Sequence, residues 1–253
     1  MIYYDTEFYA FRFASAHVHD LAWPDTDNNL WTVVCRHDDA LNALVEHVEE
    51  IWDKFPKHGV YLVRGGKRTF RHDLWPEYKA NRKDRRKPPG YGQFLARIAE
   101  VARERGWSHG GFGNVEGDDV IGLLAGPQDI IVSGDKDMLT LPGSHYQAET
   151  GTLLVVTEWE ADMAFYKQCL TGDRADNYPG CPGIADSNKL FRSQDWLKAT
   201  TGRELWACVV GAYMKAGFDE KYALTQARCA RILRTGEYDI AAGLPLLWKP
   251  PIT

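Results

Sequence analysis

The sequence lacks the features that define several large classes of protein. No apolar run in its 253 residues approaches the length of a membrane-spanning helix, which is about 20 residues. The first eight residues, Met-Ile-Tyr-Tyr-Asp-Thr-Glu-Phe, carry charges that a secretory signal peptide would not have. The five cysteines are scattered and form no Cys-x-x-Cys pair, so no disulfide framework is expected. These absences predict a cytoplasmic protein that does not act on membranes.

Two further patterns are missing or incomplete. No Gly-x-Ser-x-Gly sequence occurs, so a serine hydrolase of that type has no support. His17 and His19 form a His-x-His pair, but with no third ligand in view both are interpreted as ordinary residues. The net charge of −5 argues against a generally basic nucleic-acid-binding protein.

Positive charge is nevertheless concentrated in one segment. Between Arg64 and Lys87 ten Lys and Arg residues stand against three acids, a local excess of seven positive charges in an acidic chain. Aromatic residues interleave these cations, namely Phe70, Trp75, Tyr78 and Tyr91. Cations that hold phosphates beside rings that stack on bases are typical of nucleic-acid binding. The alternative is a solvated or disordered charged loop.

Carboxylates form three short clusters, each placed where an apolar run meets a glycine-bearing turn. In an α/β fold, ligand-binding groups collect at such positions, beyond the carboxyl ends of the strands. Each cluster alone is also compatible with helix capping or turn formation. If the clusters converge, however, so many like charges require a cation, and Mg²⁺ or Mn²⁺ with oxygen ligands fits, which indicates phosphoryl chemistry. The seven acids are Glu116, Asp118, Asp119, Asp135, Asp137, Asp173 and Asp176.

Strand and helix patterns alternate in the first part of the chain and are followed mostly by helices. The predicted strands cover residues 2–4, 31–35, 59–63 and 129–133, with a hairpin pairing 147–149 and 153–156. The predicted helices cover residues 8–16, 39–55, 91–105 and 120–125. This order predicts an α/β domain over residues 1–160 and a helical region over residues 161–253.

Four segments together resemble, in order, the motifs of the 5′-nuclease superfamily. That family includes phage flap endonucleases and the 5′-nuclease domain of bacterial DNA polymerase I. The Lys-Pro-Pro-Gly-Tyr segment and the C-terminal ARILRTGEYDI…LLWKP look closest to the 5′→3′ exonuclease of short-tailed phages. The four segments are FRHDLWPEYKANR (70–82), EGDDVIG (116–122), SGDKDML (133–139) and TGDRADNYPGCPGI (171–184).

The resemblance implies an α/β fold with a mostly parallel central sheet flanked by helices. It also implies a helical arch at about residues 70–92 and a C-terminal helix–three-turn–helix element that grips duplex DNA. The implied activity is that of a metal-dependent 5′→3′ exonuclease or flap endonuclease in phage DNA replication or recombination, hence in the host cytoplasm. Its substrates would be duplex or flapped DNA with 5′ ends, and an RNA–DNA hybrid is also allowed. Two Mg²⁺ ions, replaceable by Mn²⁺, and a K⁺ ion at the Gly180–Ile184 hairpin are the implied cofactors.

The resemblance also assigns roles to individual residues. Asp5, at the end of the first strand, joins the seven clustered acids in the metal site. Lys79 and Arg82 match arch residues that contact the scissile phosphate. The expected DNA contacts are Arg71, Tyr78, Lys83, Arg85, Arg86, Lys87, Gly180, Gly183 and Ile184.

One residue departs from the family pattern. Relatives carry an acid near the end of the strand before the arch, and here Arg64 stands in that place. We expect its guanidinium at the mouth of the acidic cluster, where it would compete with metal ions for the carboxylates. Two other functions stay open. One is a DNA-binding protein on this fold with weak or no catalysis, and the other is a related PIN-type nuclease acting on RNA, which would explain the acids but not the arch or hairpin.

Overall fold

A six-stranded sheet forms the centre of the protein, in a computed structural model that describes residues 1–22, 31–82 and 86–251. Its strands lie in the order β5-β4-β1-β6-β7-β8, and all neighbours are parallel except β7 and β8. This confirms the predicted mostly parallel sheet. The strands of the sheet are β1 (Ile2–Asp5), β4 (Val60–Val63), β5 (Ser108–Gly110), β6 (Ile130–Val132), β7 (Gly143–Gln147) and β8 (Thr152–Val156), while β2 (Val18–Ala22) and β3 (Trp31–Cys35) form a separate antiparallel pair.

Helices cover both faces of this sheet and make up most of the chain after β8. Short 3₁₀ turns occupy Ala80–Arg82, Lys136–Thr140 and Lys189–Arg192. The helices are α1 (Thr6–Ala16), α2 (His37–Lys54), α3 (Arg71–Leu74), α4 (Tyr91–Glu104), α5 (Gly117–Leu124), α6 (Glu158–Thr171), α7 (Gln194–Leu197), α8 (Gly202–Lys215) and α9 (Glu220–Ala230).

The central strand β1 is apolar up to its last residue, Asp5, and both of its faces are buried. Ile2 and Tyr4 pack into the core formed with α1, α2 and α4. Tyr3 points to the opposite face, into a core that includes Val120 of α5 and Leu233. Successive side chains of a strand point to opposite faces, so a strand covered on both sides reads as a continuous apolar run. The acid that ends this run, Asp5, is therefore held at a rigid point of the fold.

Several details differ from the sequence prediction. Strand β5 is only three residues long, and its Ser-His-Gly sequence has no apolar pattern to reveal it. The predicted hairpin is present, but its first strand is Gly143–Gln147 rather than 147–149, and the buried members of that strand are His145 and Tyr146. The mostly helical region after residue 160 also contains a short antiparallel pair, β9 (Tyr238–Asp239) and β10 (Leu244–Pro245). The domain boundary near residue 160 stays a prediction.

The segment predicted to form a helical arch contains little helix in its described part. Within residues 70–82 and 86–92 the helical elements are α3, the turn Ala80–Arg82 and the start of α4. Lys79, between them, has a positive φ of 55°, which few non-glycine residues adopt.

Across the described residues no helix is both long and apolar enough to cross a lipid bilayer.

Candidate active site

The first part of the site lies at the carboxyl ends of β1 and β6. These strands are parallel neighbours, so Asp5 and Ser133 come side by side just beyond the paired residues Tyr4 and Val132. The Ser133 hydroxyl donates a hydrogen bond to Asp5 at 2.6 Å and accepts one from the backbone N–H of Asp135 at 3.0 Å. Ser133 therefore links two acids that belong to separate motifs. The sequence analysis gave it no role, although it stands directly between the apolar strand and the acidic turn.

The second part of the site is the start of α5, which approaches the end of β4. Gly65 lies so close to it that an added Cβ would be 2.4 Å from the backbone nitrogen of Gly117. Only glycine fits this approach, which places Glu116 and Asp118 beside the strand ends.

The third part of the site is the turn from Asp173 to Tyr178. The backbones of these two residues exchange hydrogen bonds of 2.9 and 3.1 Å, and Asn177 has a positive φ of 58°. This tight turn brings Asp176 to Glu116. The Tyr78 hydroxyl lies 2.9 Å from Glu116 Oε2 and 2.8 Å from Asp176 Oδ2, so it joins the second and third clusters.

The hydrogen bonds through Ser133 and Tyr78 bring acids of different clusters together, and the charges of these acids shift one another's pKa values. Burial raises the pKa of Asp118, and the charges of Asp5, Glu116 and Asp135 raise it further. Burial likewise raises the pKa of Asp137 to about 7, with added repulsion from Asp135 and Asp173. The pKa of Asp5 rises to about 6 because of burial, although hydrogen bonds from Ser133 and Phe8 oppose the change. Each of these acids responds to charges from another motif, so the predicted convergence is present in the fold.

The cations of the basic segment neutralise one side of this cleft. The Lys79 ammonium pairs with Glu116 and lies 3.4 Å from Asp176, and Arg82 also pairs with Asp176. Burial alone would raise the pKa of Glu116, but Lys79 and Arg71 outweigh it and lower that pKa to about 2. On the other side no Lys or Arg of the described residues lies within 4.0 Å of Asp118, Asp135, Asp137 or Asp173.

The cleft offers carboxylate oxygens to a divalent cation. No group of three or more His, Cys, Asp or Glu side chains among the described residues is arranged so that it could hold a metal ion. Mg²⁺, however, usually keeps several waters and takes only one or two carboxylates directly. The donors here are all carboxylate oxygens, which Mg²⁺ and Mn²⁺ prefer. Burial is the main cause of the raised pKa values of Asp5, Asp118 and Asp137, and repulsion from neighbouring acids adds to it.

Two residues with expected site roles instead form a buried ion pair. The Arg71 guanidinium donates to both Asp119 oxygens, at 2.6 and 2.7 Å, and both side chains are at most 2% exposed. The same carboxylate accepts backbone N–H groups of Glu116 and Leu233 at 2.9 and 3.0 Å. Asp119 is therefore fully occupied by protein donors, which corrects its assignment as a metal ligand. Arg71 is enclosed by this pair and by the carbonyls of Cys229 and Arg231, which corrects its assignment as a DNA contact.

Other expected DNA contacts are divided between the interior and the surface. Tyr78 is 3% exposed and bonded to acids, so it has no face free for stacking on a base, contrary to expectation. Gly180 is also buried, and its N–H donates to Gln226 at 3.0 Å. Ile184 is half-buried and packs against the helical core. The exposed members are Arg86, Lys87 and Gly183, whereas Lys83 and Arg85 lie outside the described residues.

Arg64 lies at one edge of the cleft rather than among its deepest acids. It follows β4, and its backbone N–H donates to Gly110 at 2.8 Å. Its charge lowers the pKa values of Glu7 and Tyr91, both of which burial raises overall. Its buried Nε has no hydrogen-bond partner. Glu7, which the sequence analysis did not consider, is therefore an acid that the charge of Arg64 affects.

Comparison with protein families identifies the chain. A family model described as "5'-3' exonuclease, N-terminal resolvase-like domain" matches residues 5–166. The chain belongs to this 5′-3′ exonuclease family. It is 28% identical to the exodeoxyribonuclease of Enterobacteria phage T3, over 97% of this chain and 91% of that protein. It is also 28% identical to the exonuclease of Escherichia phage T7, over 97% of this chain and 92% of that protein.

Solved structures of this family share the fold. The T5 D15 protein co-crystallised with metal ions superposes with a TM-score of 0.65, at 14% identity, covering 90% of this chain and 88% of that one. T5 5′-exonuclease with bound zinc ions gives a TM-score of 0.61, at 15% identity, covering 91% of this chain and 93% of that one. These structures confirm the architecture, and the predicted relation to phage 5′-nucleases is confirmed by the family model and the phage relatives.

Proposed function

We propose that the protein is a divalent-metal-dependent 5′-nuclease that hydrolyses phosphodiester bonds of DNA from a 5′ end. The observation that carries this proposal is the convergence of Asp5 and three separate acidic motifs on one cleft. A protein that only bound DNA would gain nothing from a focused negative site facing phosphates. Support also comes from the phage relatives, which are an exodeoxyribonuclease and an exonuclease matched over nearly their whole length.

The acids of the cleft would hold two Mg²⁺ ions. Asp5, Asp118, Asp135 and Asp137 are the best candidates for the deeper position, since none is occupied by a protein cation in the described residues. Asp173 likewise has no paired Lys or Arg among the described residues, whereas Glu116 and Asp176 pair with Lys79 and Arg82. Bound in pairs, such ions activate a water and stabilise the leaving oxygen of a phosphodiester. Mn²⁺ would substitute because it accepts the same oxygen ligands.

Lys79 and Arg82 are proposed to neutralise charge that builds on the phosphoryl group. In the structure both are paired with acids of the cleft, which holds them at its mouth. An incoming phosphate would exchange these partners for its own oxygens, so the cations are already positioned where charge develops. Exposed Arg86 and Lys87 would add salt-sensitive affinity for the DNA backbone. A K⁺ ion at the Gly180–Ile184 hairpin and cleavage of RNA–DNA hybrids stay predictions.

One experiment separates this proposal from its alternatives. Labelled duplex DNA, flapped DNA, single-stranded DNA and RNA are incubated with the protein in Mg²⁺ and, as a control, in EDTA. The proposed nuclease releases products from the 5′ end of duplex or flapped DNA only when Mg²⁺ is present. Binding without cleavage would support the catalytically weak DNA-binding protein, for which Arg64 at the end of β4 is the specific argument. Cleavage of RNA alone would support the PIN-type nuclease.

A further inference from the structure

Asn177 connects the acidic turn of the third motif to the basic segment. Its side-chain Nδ2 donates a hydrogen bond to the backbone carbonyl of Glu77 at 2.7 Å, although the two residues are 100 positions apart. Its own carbonyl accepts a hydrogen bond from Trp75 Nε1 at 3.0 Å. Beside it, the carbonyl of Asp176 accepts the backbone N–H of Lys79 at 2.8 Å. These hydrogen bonds fix the basic segment to the backbone of the turn.

The contact continues along the turn. Asn81 Nδ2 donates to the carbonyl of Arg174 at 2.8 Å, and Arg82 Nε donates to the carbonyl of Ala175 at 3.1 Å. All four successive carbonyls from residue 174 to residue 177 therefore accept a donor from the basic segment. Asn177 ends this row and adds a hydrogen bond in the opposite direction, because its own amide donates to the segment. The two stretches of chain are thus held in one register.

The ordinary role of an asparagine in a tight turn explains only part of this arrangement. Asn177 has a positive φ of 58°, and asparagine adopts that conformation more readily than most residues do. That role requires no contact outside the turn, and a glycine would serve it equally well. The amide of Asn177 instead reaches Glu77, and its carbonyl is held by the indole of Trp75, whose ring packs edge-on against Tyr222 of α9. The side chain therefore has a partner that turn formation does not require.

These contacts bear on the two cations at the mouth of the cleft. Lys79 lies two residues beyond Glu77 and has a positive φ of 55°, a conformation that its local sequence does not favour. The charged groups of Lys79 and Arg82 must leave their acidic partners to bind a phosphate, whereas the hydrogen bonds of Asn177 involve neither charged group and stay in place. We propose that Asn177 is a positioning residue that keeps Lys79 and Arg82 at the mouth of the cleft while their charged groups change partners. This inference rests on the proposed function of those two cations.

The test separates the rate of cleavage from the affinity for DNA. Asn177→Gly keeps a residue that tolerates the positive φ but removes the amide donor. We expect single-turnover cleavage of 5′-labelled duplex DNA in Mg²⁺ to fall roughly 10- to 100-fold, the cost of misplacing a group that acts on the reacting phosphate, while DNA affinity in metal-free buffer changes less than about twofold. The matched control is Asn114→Gly, which replaces another asparagine of positive φ, at 62°, whose side chain has no hydrogen bond with a described residue. This control should leave both quantities unchanged.

A double-mutant cycle shows whether Asn177 acts through the cations. In a protein that already carries Lys79→Ala and Arg82→Ala, Asn177→Gly should lower the remaining cleavage rate less than about threefold, because the groups that it positions are gone. A residue that merely stabilised the fold would instead lower the rate by the same factor in both backgrounds.

A second variant approaches the same contact from the basic segment. Trp75→Phe removes the indole donor to Asn177 but keeps an aromatic ring, so it should also lower the cleavage rate, and this loss should also disappear in the Lys79→Ala, Arg82→Ala background. It decides the question if circular dichroism shows that Asn177→Gly does not fold. Equal fold losses in both backgrounds, or wild-type cleavage by both variants, would overturn the role of Asn177 and leave the proposed function standing. Absence of Mg²⁺-dependent cleavage by the wild-type protein would overturn both.

Discussion

The buried pair of Arg71 and Asp119 gives a prediction that separates a structural role from a DNA-binding role. Arg71 donates four hydrogen bonds, two to Asp119, one to the carbonyl of Cys229 at 2.9 Å and one to the carbonyl of Arg231. These contacts join α3, α5 and the end of α9. Replacement by Met keeps much of the apolar stem but leaves the carboxylate and two carbonyls without this donor.

The expected cost follows from the burial of the pair. The side chains are 2% and 0% exposed, so water cannot take over the lost contacts. Breaking one partner of a buried ion pair typically costs about 3–5 kcal/mol, because the remaining charge is left uncompensated. Asp119 keeps two backbone N–H donors, which places the expected loss nearer the lower end, at about 3 kcal/mol. That is a large fraction of the roughly 5–15 kcal/mol by which domains are stable.

Urea denaturation followed by circular dichroism measures this loss. The matched control is Arg68→Met, because Arg68 and its partner Asp73 are 68% and 65% exposed, and exposed pairs contribute at most about 1 kcal/mol. DNA affinity of folded Arg71→Met, measured by fluorescence anisotropy below the unfolding transition, should stay close to that of the wild-type protein. A stability loss below about 1 kcal/mol together with a large loss of DNA affinity would refute the buried structural role.

Four other variants test the cleft. Lys79→Ala and Arg82→Ala should each lower kcat at least about 10-fold with a much smaller change in DNA affinity, since their proposed contribution is made in the transition state; unchanged single-turnover rates with weaker binding would assign them to general electrostatic attraction. Asp137→Asn should raise the free energy of unfolding of the metal-free protein at pH 8 by roughly 1–3 kcal/mol, after allowance for partial exposure to solvent. The pKa of Asp137 is near 3.8 in the unfolded chain and is raised to about 7 in the folded protein. The protonated carboxyl group therefore stabilises the folded protein, fully so below pH 3.8, and this stabilisation is lost as the pH rises through about 7. The advantage of Asn should therefore shrink as the pH falls from 8 to 4, and an advantage independent of pH would contradict the raised pKa. Arg64→Asp should lower the Mg²⁺ concentration for half-maximal activity about fivefold, equivalent to about 1 kcal/mol, and raise the rate; an unchanged metal titration would mean that Arg64 has no influence on the metal site.

The acids at the strand ends could be predicted because the sequence pattern that marks them is local. An apolar run followed by Ser-Gly-Asp marks the end of β6, and parallel strands bring such ends together. The order of strands and helices follows from hydrophobic periodicity in the same way. For example, helical spacing predicts one apolar face of α2, and five of its six members are buried while Trp52 is 40% exposed. The buried members are Leu41, Leu44, Val45, Val48 and Ile51.

The remaining features depend on tertiary contacts that leave no local pattern. Arg71 lies in a basic, aromatic segment typical of nucleic-acid binding, and only the carbonyls at the end of α9, about 160 positions later, make it a buried residue. Only that pairing separates Asp119 from the metal ligands, because Asp119 and its neighbour Asp118 have the same local sequence context. Glu7 resembles any first-turn helix acid until β4 places Gly65 within reach of its carboxylate.

The central claim is that the converging acids act through bound metal ions, and Asp135→Asn tests it most directly. The amide keeps the acceptor for the N–H of Asp137, which lies 2.9 Å from Asp135 Oδ1, but removes the charge. Single-turnover cleavage of 5′-labelled duplex DNA in Mg²⁺ is measured beside DNA affinity in metal-free buffer. We expect the cleavage rate to fall more than about 100-fold while affinity is unchanged or tighter. A cleavage rate near that of the wild-type protein would contradict the claim.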